Sequence, residues 1–226
     1  MESKGIIYYT HNKLEEPIFS IVQKQLLGVG LPIVSCSLKP IEFGKNIVLN
    51  LEPGVITMLK QILTALEAST ADVVFFAEHD VLLHKNHFQF SPKRDDIYYY
   101  NTNCWRWRYP TDLLITYDHL KSLSGMCCNR ELAIKHYKKR LEIVEKSGWQ
   151  LKYGYEPGTK RRRRGGVTDE ECEEWRSDIP NIDIRHKGTL TPYKCHLDSF
   201  KHKPQNWQEK KIDDVEGWNL KKLFNL

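Results

Sequence analysis

An α/β fold, with a mixed, mostly parallel sheet flanked by helices, is predicted by two features of this 226-residue chain. Short apolar runs alternate with amphipathic segments through the first hundred residues, the order that builds a parallel sheet from crossover units. One of those runs, residues 73–76, is apolar at every position and stops at Glu78-His79-Asp80. A strand with no polar face belongs inside a sheet covered on both sides. Its abrupt end delivers two carboxylates to the carboxyl edge of that sheet, where open α/β sheets bind ligands.

The elements follow in order. Residues 5–10 read as a short apolar strand with a polar exit at Thr10-His11-Asn12. Residues 15–27 carry Ile18, Ile21, Val22 and Leu26 on one helical face, and Gly28 and Gly30 end that helix. Residues 31–37 form a second strand, followed by a loop containing Pro and Gly. The helical period returns over 55–68 through Met58, Leu59, Ile62, Leu63 and Leu66, and the strand 72–77 then reaches the acidic triplet. Beyond it, 97–101 is a Tyr-rich strand and 115–120 another. Ser124-Gly125 turns the chain into a helix over 131–146. Residues 148–166 are loop-like. Thr168 with Glu171 three residues on has the form of a capping box, which predicts a helix start there. Residues 181–186 alternate and end at His186.

Length allows one good core, so we expect a single domain over 1–200 with a tail, 201–226, packing back on it. The hydrophobic share of 40% fits an ordered globular chain. No run approaches the ~18–20 apolar residues of a membrane span, and the N-terminus lacks a signal peptide's apolar stretch. Both predict a cytoplasmic protein. The six cysteines form no C-x-x-C pair and no zinc spacing, so free thiols acting as small buried hydrophobes are expected. Formal charge is only +5, but Lys160 and Arg161 to Arg164 concentrate it. Such a run is either a solvated loop or a grip for phosphate.

Acidic residues after a buried strand also cap helices or face water. Two hard oxygen ligands at a sheet edge, however, suit a Mg²⁺ or Mn²⁺ ion shared with a diphosphate. Trp105 and Trp107 alternate with Arg106 and Arg108. If they lie on a strand, the indoles share one face and the guanidiniums the other. That arrangement is either core plus solvent or a stacking surface beside a phosphate clamp. His84 and His87 have ligand-like spacing within a polar loop.

With its acid-x-acid triplet, alternating first half and late His, the chain over residues 5 to about 190 resembles a compact GT-A glycosyltransferase. The resemblance implies a Rossmann-like, nucleotide-sugar-binding half over about 1–100 and an acceptor half over about 101–200. Tyr9, Thr10 and Asn12 would then face base and ribose, and Glu78 would touch the ribose or a metal-bound water. Asp80 would ligate the divalent metal, with Glu78 and His186 as further candidate ligands and Arg185 on a phosphate. Asp169 or Glu170 would be the base of an inverting course, although acids in a first helical turn also satisfy the helix dipole. The implied donor is a UDP- or GDP-type nucleotide-sugar. The acceptor expected from the Arg run and the Trp-Arg alternation is a polyanion such as a hydroxymethylated base in DNA, with a saccharide, a lipid-linked glycan or a protein as the other readings.

Two further classes stand beside this one. A nucleotidyltransferase acting on sugar phosphates is disfavoured, because residues 9–14 contain no glycine to cradle a triphosphate. A non-catalytic nucleic-acid-binding module built on the Arg run and the two Trp residues would leave the acidic triplet without a purpose. No P-loop, dinucleotide-binding glycine motif or nucleophile elbow occurs.

Overall fold

The computed structural model describes residues 2–160, 167–189 and 196–226. Arg161 to Arg164, the heart of the basic run, and Cys195 lie outside the described residues. The elements are β1 (Lys4–Thr10), α1 (Ile18–Leu27), β2 (Ile33–Ser37), β3 (Lys45–Val48), α2 (Val55–Ala68), β4 (Val73–Glu78), β5 (Val81–Leu82), β6 (Tyr98–Asn101), β7 (Cys104–Arg108), β8 (Leu113–Thr116), β9 (Met126–Asn129), α3 (Arg130–Ser147), β10 (Cys172–Trp175), β11 (Asn181–Arg185), β12 (Gln208–Lys211) and α4 (Leu220–Phe224).

The main sheet has seven strands in the order β10-β6-β9-β4-β1-β2-β3. Only β9 runs against its neighbours, β4 and β6. The mixed, mostly parallel sheet with flanking helices is therefore the expected architecture. Each interior strand alternates its side chains between two apolar layers, as a sheet buried on both faces must. Ile6, Tyr8, Phe75 and Cys127 join α1 in one layer, while Ile7, Tyr9, Phe76 and Cys128 join α2 and α3 in the other. Asn129 caps α3 through hydrogen bonds from the amides of Glu131 and Leu132, worth about 1 kcal/mol against alanine.

A second sheet, β12-β8-β7-β11-β5, covers the α1 face. The alternation in β7 resolves toward packing: Trp105 and Trp107 are buried in that layer, and the Trp107 indole N–H donates to the Thr111 carbonyl at 2.7 Å. The tail completes this sheet. β12 pairs with β8, and Ile212, Leu220 and Phe224 enter the same layer. No helix among the described residues is long and apolar enough to cross a membrane.

Four local expectations need correction. The first helix starts at Ile18 rather than residue 15, after Pro17 at its N-cap. The strands β3, β5, β9 and β12 were not foreseen: β3 lies in the expected loop, β5 follows the acidic triplet, β9 precedes α3 and β12 lies in the tail. The strand expected over 115–120 lies earlier, at Leu113–Thr116. No helix begins at Thr168. Its side chain is buried on the His136 ring at 3.1 Å, and the Glu171 carbonyl accepts from the Tyr98 amide at 3.0 Å. The following residues then enter the sheet as β10 beside β6, so backbone pairing overrides the local capping signal.

Candidate functional site

The chain leaves β1 through α1 to β2 on one side, yet β3 returns through α2 to β4 on the other. The carboxyl ends of β1 and β4 thus flank the topological switch point of the sheet, where a crevice opens. His11 follows β1 and His79 follows β4, and their rings meet edge to face with centroids 4.7 Å apart.

Glu78 continues the alternation of Val74 and Phe76 and points toward the α2–α3 layer. There the Ser124 hydroxyl donates to its carboxylate, and the buried phenol of Tyr9 lies close by. Burial first, then the neighbouring charge of Asp80, pushes the Glu78 carboxyl up to about 7. Asp80 sits in the two-residue link between β4 and β5, and so between the two sheets. Its carbonyl accepts from the Ile184 amide at 2.9 Å, which ties the link to β11. Its carboxylate lies 3.4 Å from Nε2 of His186, at the end of β11. Burial works against the charge of Asp80, but His186, His79 and Arg185 outweigh it and hold the carboxyl below its ordinary value.

Behind this pair, Asp183 is buried and bonded to Arg185, with Nε of Arg106 at 3.4 Å. Arg185 is close enough to feel both Asp80 and Glu78. Glu78, Asp80, Arg185 and His186 are therefore brought together from β4, its exit and β11, although more than a hundred residues separate them in sequence.

The other expected site residues sit differently. Tyr9 and Thr10 are buried at 5% and 1% exposure, with their side chains inside the fold. The Asn12 amide is engaged between two loops: its oxygen accepts from the amides of Leu38 and Lys39 at 2.7 and 2.9 Å, and its nitrogen donates to the Lys39 carbonyl. Asn12 adopts φ 60° to do so. Glu170 lines a groove with Thr168 and the α3 residues Glu131, Lys135, Lys139 and Glu142, and none of Glu78, Asp80 and His186 borders that groove. Asp169 beside it is exposed. His87 is interior and His84 accepts from the Asn86 amide.

Sequence reasoning gave no site role to His11, His79 or Ser124, and noted Asp183 only as the neighbour three residues before His186. Among the first three, only His79 carried a signal, its place inside the triplet; the others join through sheet topology. Two buried ring nitrogens fit a cation here. His79 Nδ1 is buried without a hydrogen-bond partner, and His186 Nε2 is buried with the Asp80 carboxylate at a long 3.4 Å. Among the described residues no three His, Cys, Asp or Glu side chains converge to hold an ion by themselves. The donor set of Asp80 and His186 thus suits a cation that takes its remaining ligands from substrate oxygens and water, the habit of Mg²⁺ and Mn²⁺.

No protein-family model and no curated protein matches the chain. Among solved structures it is similar to a glycosyltransferase involved in the glycosylation of the major capsid of PBCV-1, with a TM-score of 0.48 and 10% identity over 80% of this chain and 93% of that one. It is also similar to the apo-form glycosyltransferase GlyE of Streptococcus pneumoniae TIGR4, with a TM-score of 0.39 and 8% identity over 64% of this chain and 39% of that one.

Proposed function

We propose that the chain is a metal-dependent glycosyltransferase that moves a sugar from a UDP- or GDP-type nucleotide donor to an acceptor hydroxyl. One observation carries the reading: Asp80 and His186 lie 3.4 Å apart at the switch point of the sheet, with Glu78 and Arg185 beside them. Asp80 and His186 would hold a divalent ion on the diphosphate. When bound, Mg²⁺ or Mn²⁺ supplies positive charge against the charge that develops on a departing diphosphate.

The chain's own residues divide the remaining work. Glu78, oriented by Ser124, faces the ribose, with Tyr9, Thr10 and Asn12 shaping the wall behind it. Arg185, braced by Asp183, meets a phosphate oxygen as a charge-assisted partner. In the transfer, the bond from the anomeric carbon to the diphosphate oxygen breaks and a bond to the acceptor oxygen forms. The acceptor proton passes to a carboxylate; Asp169 and Glu170, the expected candidates in an inverting course, precede β10, three strands from β4 and toward the opposite edge of the sheet from Glu78, so neither stands beside the donor residues. For the acceptor, the basic run at residues 160–164 speaks for a polyanion such as a hydroxymethylated base in DNA, and a saccharide is the second reading. Burial of Trp105 and Trp107 removes the aromatic clamp on which the polyanion version relied, and weakens the nucleic-acid-binding module in the same way.

The test is thermal stability against nucleoside diphosphates and sugar nucleotides, with and without Mn²⁺. A ligand at a hundred times its Kd adds about 2.7 kcal/mol. We expect a shift that needs both Mn²⁺ and one nucleotide and disappears in Asp80→Ala. A folded protein that shifts with no member of the panel refutes the reading.

A further inference from the structure

The polar face of the smaller sheet leads away from the candidate site. On β11, Asp183 and Arg185 share a face, and Asp183 lies in register with Arg106 on β7, which lies in register with Ile115 on β8. Tyr117, two residues beyond Ile115, belongs to that face by alternation. Its hydroxyl accepts from Arg106 at 2.7 Å, and the Arg106 guanidinium lies 5.5 Å from the ring centre. With strands ~4.8 Å apart, β8 lies ~10 Å across the sheet from Asp183.

At Tyr117 the surface turns aromatic. Trp207 stacks parallel to the Tyr117 ring at 5.9 Å, and Phe200 meets both rings edge to face at 5.3 and 5.8 Å. All three side chains are half-buried, so each keeps surface toward solvent, unlike Trp105 and Trp107. Polar groups rim them. The Trp207 indole N–H donates to Glu209 at 2.9 Å, and Asn206 donates to Asp118 at 2.6 Å.

We infer that Tyr117, Phe200 and Trp207 form the platform on which a saccharide acceptor lies. The inference rests on the transfer reading for the word acceptor and names its substrate class. A sugar ring carries an apolar C–H face and a rim of hydroxyls. It is matched by an aromatic face bordered by planar groups that donate and accept hydrogen bonds, here Arg106, Asp118 and Glu209. The carboxylates of Asp118 and Glu209 at the rim disfavour a phosphate backbone, which separates this surface from a base-stacking groove of nucleic-acid binders. A ring held there lies on the same sheet face as Asp183 and Arg185, about two strands away.

The experiment uses the full chain with maltotetraose, cellotetraose and mannotetraose as probes and an octamer of thymidylate as the counter-probe. Saturation-transfer NMR reports binding. Tryptophan oxidation read by peptide mass spectrometry reports which indole is covered. We expect at least one tetrasaccharide to give transfer signal and to slow oxidation of Trp207 at least fivefold. Trp207→Ala should abolish that signal and keep the nucleotide-dependent thermal shift, while Asp80→Ala should do the reverse. Should Trp207→Ala fail to fold, protection of Trp207 in the unaltered protein decides alone. No tetrasaccharide signal, or signal without protection of Trp207, overturns the inference, as does thymidylate protecting Trp207 where sugars do not. Loss of the nucleotide shift in the unaltered protein with saccharide protection intact would refute the transfer reading and leave the platform standing as a sugar-binding surface.

Discussion

His87 shows how much one buried side chain constrains. The Asn101 oxygen accepts from the amides of Asn103 and Ser177, and the Asn181 oxygen accepts from the His84 amide. Both amide nitrogens are therefore turned to donate to Nδ1 of His87, at 3.1 and 3.2 Å. The proton must sit on Nε2, which is buried without a partner, and burial pushes the ring down to about 3 from its ordinary 6.5. The folded state thus favours the neutral ring. Its contribution to stability is complete above pH 6.5 and is lost as pH falls from 6.5 toward 3, at up to about 1.4 kcal/mol per pH unit. Melting temperature measured from pH 7 to 4 should fall more steeply in the unaltered protein than in His87→Gln. Equal slopes would show that His87 is not the group responsible. None of this is legible in sequence, where His84 and His87 present the same ligand-like spacing and nothing distinguishes an interior ring from a surface one.

At the scale of elements, periodicity placed the long segments well. The whole of α2 and the body of β4 carry patterns that only one secondary structure satisfies, and the acidic triplet could be put at a sheet edge for that reason. The misses have a common cause. β9 and β10 are four-residue strands stabilised by neighbours far away in sequence, so their local composition decides nothing, and Thr168 to Glu171 carries a real capping signal that pairing beside β6 overrides. Gly158, at φ +74°, packs so closely that an added Cβ would stand 2.7 Å from the Glu171 carbonyl oxygen and 2.8 Å from the Tyr98 ring. Both the left-handed backbone and the close approach exclude a side chain. Gly158→Ala should destabilise by about 1–3 kcal/mol, read as a lower denaturant midpoint with unchanged slope. A midpoint within error of the unaltered protein would mean that Gly158 is not held against Tyr98 of β6.

At the scale of the molecule, the two-sheet arrangement was the least visible feature. A tail with an apolar stripe at Leu220, Leu223 and Phe224 was expected to pack back on the domain. The sequence alone does not reveal that residues 208–211, exposed along their whole length, pair as a strand. The candidate site depends on that arrangement, because His186 and Arg185 belong to the smaller sheet and Glu78 to the larger. Sequence could find the triplet, whose residues are neighbours in the chain. It read His186 as a possible ligand closing an alternating stretch, with Asp183 and Arg185 as its neighbours, but gave no role to Ser124, whose contact with Glu78 arises from packing.

The adjacent thiols of β9 turn this architecture into a clock with two hands. Cys127 faces the layer closed by the smaller sheet and the five-residue α4, Cys128 the layer closed by α2 and α3, and both are fully buried. A sulfur in that setting reacts only when its own layer opens. Pulse alkylation under native conditions, followed by unfolding and tandem mass spectrometry, should label Cys127 before Cys128, because an exposed β12 and a short helix guard its side. Equal rates would mean that the interior yields as one body, and that the seam carrying Asp80 opens only when the whole protein does.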